Sequence, residues 1–464
     1  MKNRYIDLIK QTFDFPQEGF DVIDDCLHFN GIPVMDIIEQ YGTPLKISYL
    51  PKIGAQINKA KRIFNVAMAR NDYKGSYTYC YCTKSSHFSF VMEEALKNQI
   101  HLETSSGFDI QIIRNLHEQG LVNKEMFILC NGFKRDNYIQ GINDLIKDDF
   151  VNVIPILDNM AELDGYEKNI KKKFKIGLRI AADEEPNFEF YTSRLGIRYK
   201  DIIPFVKDRI KNNQYTELKM LHFFINTGIK DTAYYWSELS KGIDMYCELK
   251  QICPELDSLD IGGGWPIRTS LSFDYDYDYM ANEIIKQIKS TCEKNNVAEP
   301  NIFTEFGSFT VGESGAVLFK TINQKTQNDK ETWNMIDSSF ITTLPDTWGI
   351  NQKFILLAVN HWDKDYQRVN LGGLTCDSED FYSFESQTNR VFMPRAGDSE
   401  EPLYLGFFHT GAYQEALGGY GGIQHCLIPA PKHVLIDRDA NGEYTTRLFA
   451  KEQSAKSMLK ILGY

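Results

Sequence analysis

The chain has 464 residues, a formal net charge of −12 at neutral pH and a hydrophobic fraction of 42%. This length exceeds what one hydrophobic core usually supports, so we predict two domains. No apolar run approaches the roughly 20 residues that a membrane-spanning helix needs, and the acidic charge disfavours a nucleic-acid partner while favouring a cationic small molecule. The composition therefore argues against both a membrane protein and a nucleic-acid binder.

The N-terminal segment, residues 1–44, lacks the apolar stretch and cleavage site of a secretory signal, so we expect the protein in the cytoplasm. Residues 26–32 in this segment are typical of a hairpin. The nine cysteines of the chain are odd in number and form no CxxC pair, which argues against a disulfide framework and a structural zinc site. No His, Asp and Glu cluster shows ligand spacing either, so no metal is expected.

Between residues 45 and 312, eight short apolar runs alternate with longer amphipathic runs. Strands that alternate with helices indicate a parallel sheet, and eight of them indicate a closed (β/α)8 barrel of the TIM type. From residue 313 to residue 464 the pattern changes to strand-like segments separated by polar turns, which is typical of a mainly antiparallel β-sandwich or β-barrel domain. We expect the N-terminal segment (1–44) to join that β domain.

The most informative motif lies where a β-forming run, residues 77–83, gives way to a helical pattern at residues 90–96. Lys84 stands at this junction, and barrel active sites are built at such strand-to-helix junctions. An amine that is desolvated or flanked by charge loses its proton readily and can hold a cofactor aldehyde covalently. The alternative is an ordinary solvated surface lysine, and only the other motifs decide between the two.

Three consecutive glycines, Gly262, Gly263 and Gly264, follow a strand pattern late in the barrel. Such a loop exposes backbone N–H groups without Cβ obstruction, which suits a phosphate group. A tight turn is the alternative, although barrel phosphate sites do cluster in the late loops. Thr227, directly after the strand pattern at 218–225, is a second candidate phosphate anchor.

Glu305 lies at the end of the apolar strand 302–305. A carboxylate that faces a pyridine nitrogen keeps that nitrogen protonated, and the ring can then serve as an electron sink. A salt-bridged glutamate at a strand end is the alternative.

The predicted β domain carries a thiol beside a carboxylate, Cys376 and Asp377. A thiol can return a proton to a carbanion and a carboxylate can hold a cationic group, although a buried cysteine next to a turn is the simpler interpretation. Tyr413 adds a hydroxyl that can donate to a phosphate, or that belongs to a core tyrosine.

Together and in this order, these motifs resemble the pyridoxal 5′-phosphate (PLP)-dependent amino-acid decarboxylases of the alanine racemase-like fold. That family includes ornithine, diaminopimelate and biosynthetic arginine decarboxylases, and the resemblance covers nearly the whole chain. The segment 340–350 looks most like the specificity region of the biosynthetic arginine decarboxylases. Asp377, where diaminopimelate decarboxylases typically have glutamate, suggests recognition of a cationic side chain. The shared motifs are Y-x-x-K at 81–84, GGG at 262–264, E-x-G at 305–307, C-D at 376–377 and G-A-Y at 411–413.

The resemblance implies a role for each motif. Lys84 would hold PLP, Glu305 would keep its ring protonated, and Cys376 would return a proton to the substrate carbon. The substrate would be a small cationic amino acid, most specifically L-arginine converted to agmatine and CO2 for polyamine biosynthesis. Family members are homodimers or dimer-based oligomers with shared active sites, since the Cys and Asp come from the partner subunit. The cofactor would contact Lys84, Phe224, Thr227, Gly262, Gly263, Gly264, Glu305 and Tyr413, and the substrate would contact Asp346 and Asp377.

Two positions depart from the family pattern. The family usually carries a ring-stacking histidine in F-H-x-G-S, whereas Phe224 would be the stacking ring here unless His222 reaches in from a shifted register. The arginine common after E-x-G is Ser308, so one phosphate contact is lost or supplied elsewhere. The chain is also shorter than typical biosynthetic arginine decarboxylases, which carry an inserted helical bundle and a C-terminal helical extension.

Three other functions stay open from the sequence. One is a decarboxylase of ornithine, lysine, diaminopimelate or a carboxylated polyamine. Another is a catalytically silent relative that binds PLP or a regulatory partner, against which Lys84, Glu305 and Cys376 together argue. The third is an unrelated barrel hydrolase that uses carboxylates such as Glu103 and Glu305.

Overall fold

The computed structural model describes residues 3–183, 192–328, 331–382, 391–395 and 401–464. The chain divides into two compact units. The barrel unit comprises residues 53–266 and 275–310, and the β unit comprises residues 1–52, 267–274 and 311–464. No helix in the described ranges combines the length and the apolar character that a bilayer crossing requires.

The β unit begins with a small antiparallel sheet in which the central strand pairs with a strand on either side. The hairpin predicted at residues 26–32 corresponds to the second and third strands of this sheet. Buried apolar side chains from the sheet and from the helix that follows it belong to the core of the β unit. The elements are α1 (Tyr5–Thr12), β1 (Phe20–Ile23), β2 (Cys26–Phe29), β3 (Ile32–Pro33), α2 (Val34–Tyr41) and β4 (Leu45–Tyr49).

Eight parallel strands form a closed barrel in the barrel unit, which confirms the predicted fold class. Each strand pairs with the next in the chain, and the last pairs with the first. The strands are β5 (Tyr77–Cys82), β6 (His101–Thr104), β7 (Ile128–Cys130), β8 (Val153–Leu157), β9 (Phe174–Arg179), β10 (Thr216–His222), β11 (Ser258–Asp260) and β12 (Asn301–Phe306).

Helices connect the barrel strands, and polar side chains mark where several of them begin. Ser106 and Asp109 form a capping box at the start of α5, and Thr232 and Asp276 each cap a later helix by accepting a backbone N–H. The helices are α3 (Pro51–Arg70), α4 (Ser89–Leu96), α5 (Gly107–Glu118), α6 (Asp136–Lys147), α7 (Glu162–Glu167), α8 (Tyr199–Phe205), α9 (Ala233–Ile252), α10 (Tyr277–Asn295) and α11 (Ser308–Val311).

Polar side chains gather where the barrel strands end. Arg179, His222 and Asp260 are the last residues of β9, β10 and β11, and the strand register places them next to one another. Because parallel strands end at the same edge, this register builds a polar layer at the C-terminal end of the barrel. An apolar cluster lies deeper in the barrel and consists of Cys80, Leu129, Ile154, Ile156, Met220 and Phe303.

The C-terminal part of the β unit completes a mainly antiparallel sheet, as predicted. The long strand β13 pairs with three others, and among the described strand pairs of this unit only β14–β16 and β4–β20 are parallel. The described elements are β13 (Gly315–Gln327), β14 (Glu331–Ile336), α12 (Phe340–Thr343), α13 (Pro345–Ile350), β15 (Ile355–Ala358), β16 (Tyr366–Gly372), β17 (Phe381–Tyr382), β18 (Val391–Pro394), β19 (Tyr404–Phe408), α14 (Gln414–Leu417), β20 (Lys432–Arg438), β21 (Tyr444–Ala450) and α15 (Ala455–Leu462).

The division between the units differs from the predicted boundary at residue 45. The strand β4 (Leu45–Tyr49) pairs with β13 and β20 in the β unit, and residues 267–274 also belong to that unit. All five residues of β4 are buried, as in a strand covered on both faces. Its sequence therefore has the same character as a barrel strand, and only its long-range pairing reveals where it belongs.

Candidate active site

Lys84 lies in a short 3-10 turn, Thr83–Ser85, directly after β5. Its Nζ donates to Glu103 Oε2 at 3.0 Å, and it lies 3.7 Å from Cys82 Sγ. The Glu103 carboxylate is fully buried, whereas 43% of the Lys84 side chain is exposed. A buried carboxylate thus holds the lysine amine at the C-terminal end of the barrel and leaves part of the side chain accessible.

Glu305 lies near the end of β12 and is 5% exposed. Its Oε1 accepts a hydrogen bond of 2.6 Å from Asn131 Nδ2, which follows β7. Burial raises the pKa of the Glu305 carboxyl well above its usual range, and the neighbouring charge of Asp260 raises it further. Burial and the neighbouring carboxyl therefore both favour the protonated form of Glu305.

His222 and Asp260 lie beside Glu305 and are equally buried. His222 Nδ1 is 3.1 Å from Asp260 Oδ2, and His222 Nε2 is 4.0 Å from Glu305 Oε2. Burial raises the pKa of Asp260 to about 7 and lowers the pKa of His222 to about 4. Asp260 also shares a hydrogen bond with Glu305 and accepts one of 2.8 Å from the backbone N–H of Gly262. The two carboxyls thus form a coupled pair that retains a proton.

Residue spacing indicated no metal site, yet these three side chains lie close enough together to share an ion. One ligand atom from each of His222, Asp260 and Glu305 lies within 4.8 Å of the others. Residue spacing could not reveal this cluster, because three different strands supply its members. The hydrogen bonds from Asn131 and Gly262 already engage one oxygen of each carboxyl.

The glycine loop packs against the backbone around it. A Cβ on Gly263 would lie 2.0 Å from the carbonyl oxygen of Glu305, and a Cβ on Gly264 would lie 2.6 Å from the Cα of Gly228. Gly262, Gly264 and Gly228 also have φ values of +69°, +97° and +75°, which favour glycine. The loop is therefore a tight turn packed against Glu305, and its contact with a phosphate stays a prediction.

Two further predicted cofactor-binding residues, Phe224 and Thr227, lie just after the end of β10. Thr227 Oγ1 is buried and has no hydrogen-bond partner among the described residues. The Phe224 ring is 37% exposed, and the guanidinium carbon of Arg179 lies 5.9 Å from its centroid. His222 is buried in the cluster with Asp260, so the exposed ring at this position is that of Phe224. Ser308, where the family pattern has arginine, is the first residue of α11.

The remaining predicted residues belong to the β unit and fall into two groups. Asp346 Oδ2 accepts a hydrogen bond of 2.8 Å from Nε2 of Gln414, the residue that follows Tyr413. Burial raises the pKa of Asp346. In the other group, Cys376 Sγ lies 3.7 Å from Cys426 Sγ. Cys376 is exposed, which excludes the buried-cysteine interpretation for the single chain.

Next to that thiol pair, Asp377 Oδ2 lies 3.5 Å from His425 Nε2. Sequence reasoning missed the partners of both groups, because they lie about 50 residues or more away in the chain. In the barrel unit it missed Asn131, Arg179 and Asp260 as site residues, although each stands at or just after a strand end. Position after an apolar run was the signal that could have found them.

Comparisons with known proteins agree with this geometry. A family model described as the pyridoxal-dependent decarboxylase, pyridoxal binding domain, matches residues 55–312. The biosynthetic arginine decarboxylase of Prochlorococcus marinus (strain AS9601) is 22% identical in an alignment that covers 91% of this chain and 82% of that protein.

Two solved structures share the fold. The biosynthetic arginine decarboxylase of Campylobacter jejuni has a TM-score of 0.83 at 20% identity, with coverage of 100% of this chain and 91% of that one. The diaminopimelate decarboxylase of M. jannaschii in complex with L-lysine has a TM-score of 0.77 at 18% identity, with coverage of 94% and 96%.

The match to the family model spans more than half of the chain. It contains all eight barrel strands together with Lys84, the glycine loop and Glu305. The resemblance drawn from the five motifs is confirmed, and PLP is the cofactor that the family name specifies. The chain belongs to the family of pyridoxal-dependent decarboxylases.

Proposed function

We propose that this protein decarboxylates a basic amino acid, and that the substrate is L-arginine, which yields agmatine and CO2 for polyamine biosynthesis in the cytoplasm. The observation that carries the proposal is the pairing of Lys84 with buried Glu103, near the buried Glu305 whose pKa is raised, in a chain of this family. Arginine is favoured because curated relatives over most of the chain are named arginine decarboxylases.

The residues at the C-terminal end of the barrel suit PLP. The Thr227 hydroxyl, which has no hydrogen-bond partner among the described residues, and the exposed Gly264 would offer hydrogen bonds to a phosphate. The exposed ring of Phe224 offers a flat surface for a pyridine ring. PLP supplies an electron sink that takes up the electron pair released when CO2 leaves.

The barrel residues would hold that group and control its protons. The Lys84 amine would attach it, and Glu103 would orient the amine. Glu305 would face the ring nitrogen and share a proton with it, and burial and the charge of Asp260 raise the pKa of the carboxyl that takes part. The amide of Asn131 would fix the direction in which the Glu305 carboxyl points.

The β unit would supply the groups that act on the substrate. Cys376 Sγ would return a proton to the substrate Cα, and its pKa is raised, chiefly by the neighbouring Cys426 thiol, so that it stays protonated. Asp346 and Asp377 would bind the guanidinium through charge-assisted hydrogen bonds. Tyr413 would add a hydroxyl contact to the phosphate.

The decisive assay measures CO2 and amine formation from arginine, ornithine, lysine and meso-diaminopimelate, each with added PLP. We expect agmatine from arginine and a PLP absorbance band that disappears in Lys84→Ala. Full turnover in Lys84→Ala would contradict the proposed role of the lysine. If another amine were the product, the proposed decarboxylation would stand and only the proposed substrate would change. Meso-diaminopimelate is included because the fold is similar to that of a diaminopimelate decarboxylase.

We further propose that the protein works as a homodimer in which Cys376 and Asp377 complete the active site of the partner subunit. Co-expression of Lys84→Ala and Cys376→Ala subunits tests this, since a mixed dimer would carry one intact site. Random pairing should restore about a quarter of the wild-type activity, because half of the dimers have one of two sites intact. Activity no higher than that of either variant alone would contradict shared sites.

A further inference from the structure

The two exposed cysteines of the chain face each other. All nine cysteines are described, and in the single chain only Cys376 and Cys426 are exposed, while Cys26 is half-buried and the other six are buried. The Sγ atoms of the exposed pair are 3.7 Å apart, although 50 positions separate them in the chain. The sequence analysis considered Cys376 as a proton donor and gave no role to Cys426.

We propose that Cys376 and Cys426 form a reversible disulfide when the protein meets a low-molecular-weight disulfide such as oxidised glutathione. One thiolate attacks the reagent, its S–S bond breaks, and one reduced thiol leaves. The second cysteine then attacks the mixed disulfide and releases the other reduced thiol. Two electrons pass from the cysteine pair to the reagent, and the two cysteine protons end on the released thiols.

The local backbone favours this reaction. Cys376 lies in the bend between β16 and β17, and Cys426 lies in a short turn, so neither belongs to a strand ladder that would oppose a small movement. The sulfur atoms need to approach by less than 2 Å to reach the usual S–S bond length of about 2 Å. The side chains of Asp377 and His425, 3.5 Å apart, hold the same two segments together next to the thiols.

The turn at Cys426 has an unusual conformation. Cys426 and Leu427 are consecutive non-glycine residues with φ values of +52° and +55°. Such backbone is unfavourable for residues other than glycine and clusters at functional sites. Backbone hydrogen bonds from Leu427 to Gln424 and from Ile428 to His425 maintain the turn that presents the Cys426 thiol.

The second thiol changes what oxidation does to Cys376. A solitary exposed thiol can be oxidised stepwise to sulfinic and sulfonic acids, which cellular thiol reductants do not reverse. A neighbouring thiol traps the oxidised sulfur as a disulfide, which these reductants do reverse. The cysteines Cys80, Cys82 and Cys130 are buried, so a dissolved disulfide reagent cannot reach their sulfur atoms. Oxidation is therefore directed to the exposed pair.

The effect on activity rests on the proposed function of Cys376. A sulfur in a disulfide has no proton to return to the substrate carbon, so turnover should fall about 100-fold, which is a typical contribution of one positioned proton donor. Reduction with dithiothreitol should restore it. The inference thus adds a redox-controlled modification site to the proposed decarboxylase.

The test uses the PLP-loaded protein, oxidised glutathione as reagent, and peptide mapping by mass spectrometry without reduction. We expect a linked Cys376–Cys426 peptide in the wild type and in the control Cys26→Ser. Cys426→Ser should form no linked peptide and carry one glutathione at Cys376 instead. Free thiols or separate glutathione adducts on both cysteines in the wild type would overturn the inference. A linked peptide in a protein without decarboxylase activity would support the site and refute only the proposed function.

Discussion

Replacing Gly263 by alanine tests how closely the glycine loop is held against the end of β12. The added Cβ would lie 2.0 Å from the carbonyl oxygen of Glu305 and 3.1 Å from its carbonyl carbon. Contacts below 3.0 Å are essentially never found for real Cβ atoms, so the loop and the strand end must separate by about 1 Å. Backbone is the obstacle on both sides, so no side-chain rotation can relieve the contact.

The expected cost has two parts. Overpacking of a close backbone contact costs roughly 1–3 kcal/mol. The separation also weakens the 2.9 Å hydrogen bond from the Glu305 N–H to the Gly262 carbonyl, which is worth about 1 kcal/mol. Together these predict a loss of about 2–4 kcal/mol in the free energy of unfolding. The loop is also a proposed phosphate contact, so PLP affinity should fall at least tenfold, which corresponds to about 1.4 kcal/mol.

Urea unfolding of the PLP-free protein and a PLP titration followed by absorbance measure the two effects. Gly349→Ala is the matched control, because no atom lies within 4 Å of its added Cβ and the residue lies in the helix α13. That control should be neutral or stabilising by up to about 1 kcal/mol. If the free energy of unfolding of Gly263→Ala lies within about 0.5 kcal/mol of the wild-type value and PLP binds equally well, the loop is not packed closely against β12.

Three further predictions concern ionisable groups. Asp260→Asn removes the neighbouring charge that helps to raise the pKa of Glu305, so that pKa should fall, as measured by infrared titration of the carboxyl band. Asp346→Asn removes a proposed charge-assisted contact to the substrate guanidinium, so the KM for arginine should rise about tenfold or more with a smaller change in kcat. His433→Gln should flatten the loss of stability on acidification. The pKa of buried His433 is lowered to about 4, so between about pH 6.5 and pH 4 only the unfolded chain binds this proton, and stability rises with pH there. Removing this group should reduce the slope by up to about 1.4 kcal/mol per pH unit, measured by urea unfolding.

Each of these predictions has an outcome that contradicts it. An unchanged Glu305 carboxyl band in Asp260→Asn would mean that the two carboxyls are not coupled. A kcat that falls while the KM for arginine stays constant in Asp346→Asn would remove the aspartate from substrate binding. An unaltered pH slope in His433→Gln would show that the histidine is not buried as a neutral group, and measurements above pH 7 serve as its internal control.

The barrel was predictable because each of its strands has a recognisable local sequence pattern. Eight apolar runs alternate with amphipathic helices, and their order along the chain is also their order around the barrel. The strand β4 escaped the same reasoning. It is as buried as a barrel strand, but it pairs with β13 and β20, which lie more than 260 residues later in the chain. Local composition carries no information about a partner at that distance.

The candidate site divides in a similar way. Lys84, Glu305 and the three glycines were found because each has a distinctive residue type at the end of a strand. The cluster of Asn131, His222 and Asp260 around Glu305 was not found, because it exists only when the strand register brings their ends together. The pairing of Cys376 with Cys426 likewise depends on two loops that meet only in the folded β unit. The proposed roles of these residues stay predictions that the variants above can test.

The contact between Gly228 and Gly264 limits how the barrel rim can diversify. A Cβ on Gly228 would lie 2.4 Å from the Gly264 carbonyl oxygen, and a Cβ on Gly264 would lie 2.6 Å from the Gly228 Cα, so a side chain at either position collides with the other loop. Neither loop can acquire a new side chain there by a single substitution, and a change in one cannot compensate for a change in the other. Trp348 and Ile350 are 58% and 72% exposed in the β unit, so a substitution at either position requires no comparable displacement of backbone.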